Sequence, residues 1–209
     1  LAFLFYKRDK EQSKKYISPF KMLNYSLRFS PSDFSEPLYA YYDKAIIVFI
    51  LSSYDLGLYT IAYSAAALIN VISSTFSIQL FSDVARGDTK QLFSYIRINL
   101  ITMFLISLCM CALLPFMIPL VFGKEFEPSV LIAVLLLPVC ILQGQSSVIE
   151  RSILAKGFPF VGVQAKAITI CLFACCAFLF KILGISSLIT LALLLMFVQS
   201  IYLAYMYNR

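Results

Sequence analysis

An aspartate and a lysine, Asp43 and Lys44, interrupt an apolar run that extends from about residue 31 to residue 51. If a helix begins near Pro31, Asp43 lies about 18 Å along its axis at 1.5 Å per residue. That depth is close to the middle of a hydrocarbon core about 30 Å thick, where an ionisable side chain costs about 2.5–3.5 kcal/mol. The pair therefore predicts either a water-filled cavity that handles charged or sugar-like molecules, or an interhelical ion pair that fixes the packing.

Polar and aromatic residues accompany this pair. Tyr41 and Tyr42 precede it directly, and Glu36, seven residues before Asp43, lies on the same stripe of the helix. Further candidates for a polar path are Gln79, on the second apolar run, and Glu150 and Arg151, just beyond the cytoplasmic end of the fourth. Asn70 and Gln79 are about 180° apart around a helix, so at most one of them can face a common cavity. Isolated amides also join helices inside membranes, and that interpretation stays open for these residues.

Composition excludes whole classes of chemistry. Hydrophobic residues make up 61% of the 209 residues and charged residues only 13%. A soluble chain of this size could not bury so much apolar surface, so much of it must be solvated by lipid. Because the sequence has no histidine, imidazole bases, histidine-ligated metals and Ser-His-Asp triads are excluded. We therefore expect an integral membrane protein that is not an enzyme.

The remaining motifs predict no cofactor and no metal. All six cysteines fall inside apolar runs without zinc-binding spacing, which is typical of small packing residues. The pair Gly123-Lys124 lacks both the earlier glycine and the following Ser or Thr of a phosphate-binding loop. No basic face interleaved with aromatic residues is present, so nucleic-acid binding is not expected either.

Six long apolar runs predict an all-α protein with six membrane-spanning helices. The runs cover about residues 31–51, 56–82, 98–123, 128–149, 158–180 and 182–208. The fifth run contains one charge, Lys166, which is near enough to one end to extend its ammonium group to the membrane interface. Residues 1–6 are predicted to be the end of a preceding membrane helix, and residues 7–30 a basic cytoplasmic linker before the lobe at 31–209.

Lysine and arginine alternate between rich and poor segments, and this pattern predicts the topology. Residues 6–30 contain seven of them, residues 52–55 none, and residues 83–97 three. By the positive-inside rule, the first segment, the loops at 83–97 and 150–157 and the C-terminus are cytoplasmic. The loops on the other side are only a few residues long, which predicts antiparallel hairpins and leaves no room for an outer domain.

Three short motifs occur in a fixed order along the chain. Asp43-Lys44 is followed by Gly57, Tyr59 and Ala62 in the spacing Gly-x-Tyr-x-x-Ala. Residues 122–126 read Phe-Gly-Lys-Glu-Phe, and residues 155–159 read Ala-Lys-Gly-Phe-Pro. With this order and topology, the chain resembles the C-terminal half of polysaccharide flippases of the multidrug/oligosaccharidyl-lipid/polysaccharide exporter superfamily. A proline common near the cytoplasmic end of the eighth helix of that family is absent at residues 79–83, which puts a kink or gate there in doubt.

The resemblance implies one lobe of a twelve-helix, two-lobe exporter in the bacterial inner membrane. Such a protein flips undecaprenyl-pyrophosphate-linked oligosaccharide units of O-antigen or capsule by alternating access. The implied partners are this lipid-linked oligosaccharide, an N-terminal six-helix lobe, the lipid bilayer and glycan polymerase machinery. Asp43 and Lys44 match the charged position of the family's seventh helix, and we expect the substrate path to contain Asp43, Lys44, Tyr41, Tyr42, Gln79, Glu150 and Arg151.

Other functions fit the sequence less well. A cation-coupled drug or metabolite antiporter of the same superfamily would need an acidic cavity, and the apolar runs offer Asp43 as a mid-membrane acid beside a lysine. A membrane-embedded glycan polymerase or ligase would need a large outer loop with basic catalytic residues, and the predicted outer loops are too short. A purely structural bundle would not require the charged pair at mid-membrane depth.

Overall fold

The computed structural model describes residues 19–86, 92–185 and 187–207, and within them the chain is all helical, without a strand. Seven α-helices follow one another: α1 (Pro19–Ile50), α2 (Ser53–Ala67), α3 (Asn70–Ala85), α4 (Leu92–Phe122), α5 (Pro128–Ala155), α6 (Pro159–Ile182) and α7 (Leu188–Tyr207). A short 3-10 helix, Lys124–Phe126, connects α4 to α5. The predicted all-α class is confirmed for these residues. The predicted helix end at residues 1–6 lies outside them.

Within residues 19–86, 92–185 and 187–207, four helices, α4 to α7, are long and apolar enough to cross a membrane. Where the sequence predicts one span over 56–82, the structure has two helices, α2 and α3, which meet at 49° and could together form a fifth. Large apolar side chains stay exposed on the outer face of α4, including Phe104, Phe116 and Leu120. A soluble monomer rarely exposes so many, so this surface fits a surrounding of lipid.

Helix α1 differs from its predicted form. It begins at Pro19 instead of near Pro31, so that Pro31 and Pro37 both lie inside it and residues 19–30 of the predicted linker are helical. The predicted span at 31–51 thus forms the second part of a longer helix, and this helix is not among the candidate membrane spans of the described residues, so six spans are not confirmed. Asp43 consequently lies about seven residues before the end of α1, and its depth has to be counted from that end.

Helix α2 begins with a capping box that fixes the tight turn after α1. The Ser52 side chain accepts a hydrogen bond from the backbone N–H of Asp55, and the Asp55 carboxylate accepts one from the backbone N–H of Ser52. Both contacts satisfy backbone donors that a helix start leaves unpaired. This turn reverses the chain and sets α2 beside the Asp43 end of α1.

Helix α5 is the centre of the bundle. It packs against α2, α3, α4, α6 and α7, and 61% of its most apolar stretch is buried, compared with 17% for α4. Leu136, Val139 and Cys140 on α5 are inaccessible to solvent or nearly so. Cys140 is therefore a packing residue, as the sequence predicted, and α5 contacts all five of these neighbouring helices.

Gly144 lets α5 approach α3 and α4 closely. A Cβ atom at this position would lie 2.5 Å from both the Met103 methyl group and the Ser73 hydroxyl. Met103 is fully buried, so its side chain has little room to move away. Gly57 on α2 has no atom within 4 Å of the corresponding position. Gly57 can therefore serve as the control for a substitution at Gly144, because both lie inside helices and only Gly144 is crowded.

We expect Gly144→Val to destabilise the protein by about 1–3 kcal/mol, because an overpacked core must shift side chains or backbone. The measurement is thermal unfolding in detergent, followed by size-exclusion chromatography. Gly57→Val adds the same side chain to a helix interior with open space around it and serves as the control. Equal losses in both variants would show that helix propensity, rather than the close contact at Gly144, sets the effect.

Candidate functional site

A polar cavity of about 260 Å³ lies inside the apolar bundle. Helices α1, α2, α3, α5, α6 and α7 all contribute to its wall. The lining residues are Glu36, Tyr39, Ala40, Tyr63, Asn70, Ser73, Ser74, Gln143, Gly144, Ser146, Ser147, Glu150, Lys166 and Tyr202. Most of these side chains carry a hydroxyl, an amide or a charge, so the cavity is suited to a polar ligand rather than to lipid tails.

The cavity wall contains a three-membered ion cluster. Lys166 on α6 is only 2% exposed, and its ammonium group contacts Glu150 of α5 at 2.8 Å and a carboxylate oxygen of Glu36 of α1. Burying an ammonium group without a partner would cost several kcal/mol, and two carboxylates offset that cost. The cluster joins three helices across the cavity.

A glycine, Gly162, makes room for this cluster. A Cβ atom on Gly162 of α6 would lie 2.5 Å from a carboxylate oxygen of Glu150. The Glu150 side chain thus passes directly over the backbone of α6 to reach Lys166, one turn further along. Its second carboxylate oxygen accepts a hydrogen bond of 3.1 Å from the Tyr202 hydroxyl of α7.

Tyrosines form the aromatic part of the wall. The ring of Tyr39 stacks on that of Tyr42 at 5.3 Å between centroids and meets the ring of Tyr202 at 5.5 Å. The Tyr39 hydroxyl donates to Gln199 of α7 at 2.8 Å, and the Gln199 amide donates to the Tyr42 hydroxyl at 3.3 Å. These hydrogen bonds fix the ring planes, and the Lys166 ammonium lies 5.8 Å from the Tyr39 ring centroid.

Asp43 and Lys44 lie beside the cavity rather than in its wall. Asp43 is 3% exposed and accepts a hydrogen bond of 2.5 Å from the hydroxyl of Tyr59 on α2. The Lys44 ammonium is 3.7 Å from the Asp43 carboxylate and 4.0 Å from the centroid of the Tyr63 ring. The charged pair of α1 is therefore tied to α2 at two points, and Tyr63 connects it to the cavity.

Two amide side chains extend the polar wall toward α2 and α3. Gln143 accepts a hydrogen bond of 3.2 Å from the Tyr63 hydroxyl. The side-chain oxygen of Asn70 is buried and has no hydrogen-bond partner among the described residues. A buried acceptor without a donor is destabilising, so a ligand hydroxyl or a water at this point would stabilise the cavity.

A second cavity of about 330 Å³ adjoins the first and shares Glu36, Ser147 and Glu150 with it. Its other lining residues are Ser32, Asp33, Pro37, Arg151 and Leu154. Arg151 is exposed and makes no ion pair within 4.0 Å with any of the described residues. The two cavities form a polar path that ends near the turn between α5 and α6.

The structure brings some of the predicted site residues together and separates others. Glu150 and Arg151 line the path. Asp43, Lys44 and Tyr42 do not line it, but they contact residues next to its wall. Tyr41 is exposed on the outer face of α1, and its ring is 5.6 Å from the Lys44 ammonium. Gln79 is exposed and lines neither cavity, whereas Asn70 lines the first, as their opposite positions on a helix require.

Lys166 was expected to reach the membrane interface, and that expectation is wrong. Its side chain instead turns inward, where its ammonium group pairs with the carboxylates of Glu36 and Glu150. A signal was present in the sequence: a single charge in an apolar run is a functional candidate by default. Within the described residues, no group of three or more His, Cys, Asp or Glu side chains could hold a metal ion.

We expect Lys166→Met to destabilise the protein by about 3–5 kcal/mol, because it leaves the partly buried Glu150 without its cation. Adding Glu150→Gln should restore part of this loss. Thermal unfolding in detergent measures both. Lys156→Met, at an exposed lysine in the turn after α5, is the control and should leave the unfolding temperature nearly unchanged. A loss in Lys156→Met as large as in Lys166→Met would contradict the assignment.

A second prediction concerns the link between α1 and α2. Tyr59→Phe removes the hydrogen bond to the buried Asp43 carboxylate and should cost about 1–3 kcal/mol. Tyr54→Phe removes the same hydroxyl from an exposed residue of α2 and is the matched control. Unfolding curves in detergent should separate the two variants. If both unfold like the unmodified protein, the contact between Tyr59 and Asp43 does not contribute to stability.

Comparison with known proteins gives one match. Neither the curated proteins nor the solved structures contain a significant relative of this chain. Residues 6–131, more than half of the chain, match a protein family described as polysaccharide biosynthesis protein. The match includes Asp43, Lys44 and Tyr59, and it ends near the start of α5, before Glu150 and Lys166. The apolar helices and this match together identify a membrane protein, and the chain belongs to the polysaccharide biosynthesis protein family.

Proposed function

We propose that this protein flips lipid-linked oligosaccharide units across the bacterial inner membrane for O-antigen or capsule synthesis. The observation that carries the proposal is the polar cavity between the apolar helices. Polar side chains at membrane depth are costly and mark paths for polar molecules. Among polar molecules, an oligosaccharide fits the family to which the chain belongs, and it must cross the membrane without contacting lipid tails.

The wall chemistry matches sugars. Sugar rings present flat apolar faces and a rim of hydroxyl groups, so they are bound by aromatic rings together with carboxylates and amides. Tyr39, Tyr63 and Tyr202 contribute aromatic rings to the wall, and Gln143 and Asn70 contribute amide groups. We therefore propose that the repeat unit passes through the first cavity, while the isoprenoid tail stays in the bilayer.

The pyrophosphate needs a cation that is not already paired. Lys166 is engaged by two carboxylates, but Arg151 at the second cavity has a free guanidinium group among the described residues. A guanidinium group can bind phosphate oxygens with two parallel hydrogen bonds. Arg151 is therefore the proposed contact for the pyrophosphate, at the end of the path that the positive-inside rule assigns to the cytoplasm.

Alternating access requires a second wall that moves against this one. We propose that an N-terminal six-helix lobe closes the path and that the two lobes rock around it, with the C-terminus of this lobe in the cytoplasm. In this scheme the protein is a transporter rather than an enzyme, and glycan polymerase machinery receives the flipped unit.

A cation-coupled drug or metabolite antiporter is the second candidate. It is favoured by the two carboxylates, Glu36 and Glu150, that line the cavity together with Lys166. An organic cation could displace the Lys166 ammonium from them. The alternative predicts transport of organic cations and normal surface glycan in cells that lack the protein.

The test is deletion of the full-length gene followed by analysis of surface polysaccharide and of lipid-linked repeat units at the inner leaflet. We expect surface glycan to disappear while the precursor accumulates inside. Wild-type protein should restore the glycan, whereas Arg151→Ala, Asp43→Asn and Lys44→Ala should restore it at least about tenfold less well, since each removes a group from the path or its support.

The matched control for the cavity is a pair of glutamine variants. Gln143→Ala removes an amide from the cavity wall, whereas Gln164→Ala removes one from the exposed face of α6. Only the first should impair complementation, at equal amounts of protein in the membrane.

Normal surface glycan in the deletion strain, with no second flippase present, would refute the flippase proposal and favour the antiporter.

A further inference from the structure

The lysine of the first cavity has no capacity left for an anionic ligand. Its ammonium group contacts Glu36 on one side and Glu150 on the other, and the ring of Tyr39 covers a third direction. With 2% of its surface exposed, Lys166 cannot turn toward a ligand without breaking one of these contacts. It therefore acts as a structural cation.

Acidic groups outnumber basic groups along the path. The first cavity is lined by two carboxylates and one ammonium group, and the second adds Asp33 and Arg151, one of each sign. The combined lining carries three acids and two bases, so its formal charge is negative by one. In a wall surrounded by apolar helices, this charge is screened less than it would be in water.

Two acceptor oxygens in the first cavity lack a hydrogen-bond donor among the described residues. The second carboxylate oxygen of Glu36 has no partner among the described residues, and the Glu36 side chain is 62% exposed. The buried side-chain oxygen of Asn70 likewise lacks a donor. Hydroxyl and ammonium groups of a ligand donate hydrogen bonds to such oxygens, whereas a ligand carboxylate cannot.

We propose that this path selects oligosaccharides whose sugars are neutral or carry an amino group, and that it rejects sugars that carry a carboxylate. This inference rests on the proposed function and names its substrate class. A uronic acid in the first cavity meets the unpaired oxygens of Glu36 and Asn70 and finds the Lys166 ammonium occupied. The pyrophosphate does not meet this barrier, because Arg151 takes it at the other end of the path.

The test measures binding of three trisaccharides to the full-length protein in lipid nanodiscs. The probes are identical except at one sugar, which is glucose, glucosamine or glucuronic acid. Glucose and glucuronic acid differ only at carbon 6, where a hydroxymethyl group is replaced by a carboxylate. We expect the glucose and glucosamine probes to bind, and the glucuronic acid probe to bind at least about tenfold more weakly. The reason is that its carboxylate has the same charge as the path and finds no free cation in the first cavity.

Two further measurements connect this discrimination to the cavity. Glu36→Gln removes one negative charge and should reduce the difference between the glucose and glucuronic acid probes to about twofold. Glu125→Gln, in the turn between α4 and α5, removes the same charge at an exposed position away from both cavities and should leave the difference unchanged. Raising the salt concentration should narrow the difference in the wild-type protein, since salt screens charges that water can reach.

Any of three results overturns the proposed selectivity. These are equal or tighter binding of the glucuronic acid probe, no binding of any probe, and an unchanged difference between the glucose and glucuronic acid probes in Glu36→Gln. Translocation is then measured in liposomes with polyprenyl-pyrophosphate forms of the same trisaccharides. If the probes bind with the expected order but none is translocated, the selectivity is supported and the proposed flippase activity is refuted.

Discussion

A lysine buried between two carboxylates inside a bundle of apolar helices is the constraint on which the site depends. Lys166 on α6 is buried, and the carboxylates of Glu150 on α5 and Glu36 on α1 offset the cost of burying its charge, while the mostly buried Glu150 in turn needs this cation. The three helices are consequently held at a distance set by their side chains. The space that this leaves between α1 and α5 is the first cavity.

The contact between Asp43 and Tyr59 has a physical explanation in the same terms. Asp43 and Tyr59 both lie in the part of the chain that matches the polysaccharide biosynthesis family, and the Tyr59 hydroxyl donates to the buried Asp43 carboxylate. Ala62, three residues after Tyr59, is fully buried and lets α2 pack closely beside this contact, whereas an added Cβ at Gly57 would have no atom within 4 Å. Lys44 then balances the charge of Asp43 next to the Tyr63 ring.

The polar path thus has two parts with different chemistry. The first cavity is lined by tyrosines, hydroxyls and amides, and its cation is paired with two carboxylates. The second contains the guanidinium group of Arg151, which has no ion-pair partner in the part of the chain that the structure describes. This division matches the two polar parts of the proposed cargo, the sugars and the pyrophosphate, and it explains how a path with a negative formal charge can still take an anionic headgroup at one end.

The amino-acid sequence alone determined the helical class and several helix boundaries. Long apolar runs bounded by charges must form helices in a membrane, because backbone groups there have to be hydrogen-bonded within the chain. Gly123 before Pro128 and Gly157 before Pro159 mark where one helix ends and the next begins. The start of α1 was not determined in this way, since Pro31 is compatible with a helix start but also fits inside this helix. The break between α2 and α3 has no proline or glycine that marks it.

Only the tertiary structure decided which charges meet. Periodicity places residues on a face of one helix, but it cannot show that Glu36, Glu150 and Lys166, separated by up to 130 positions, share one site. Nor could it show that Gln79 lies outside and that Tyr39 and Tyr202 lie inside. The physical reason is that local sequence sets the shape of each helix, whereas the rotation of the helices about one another depends on all their contacts at once.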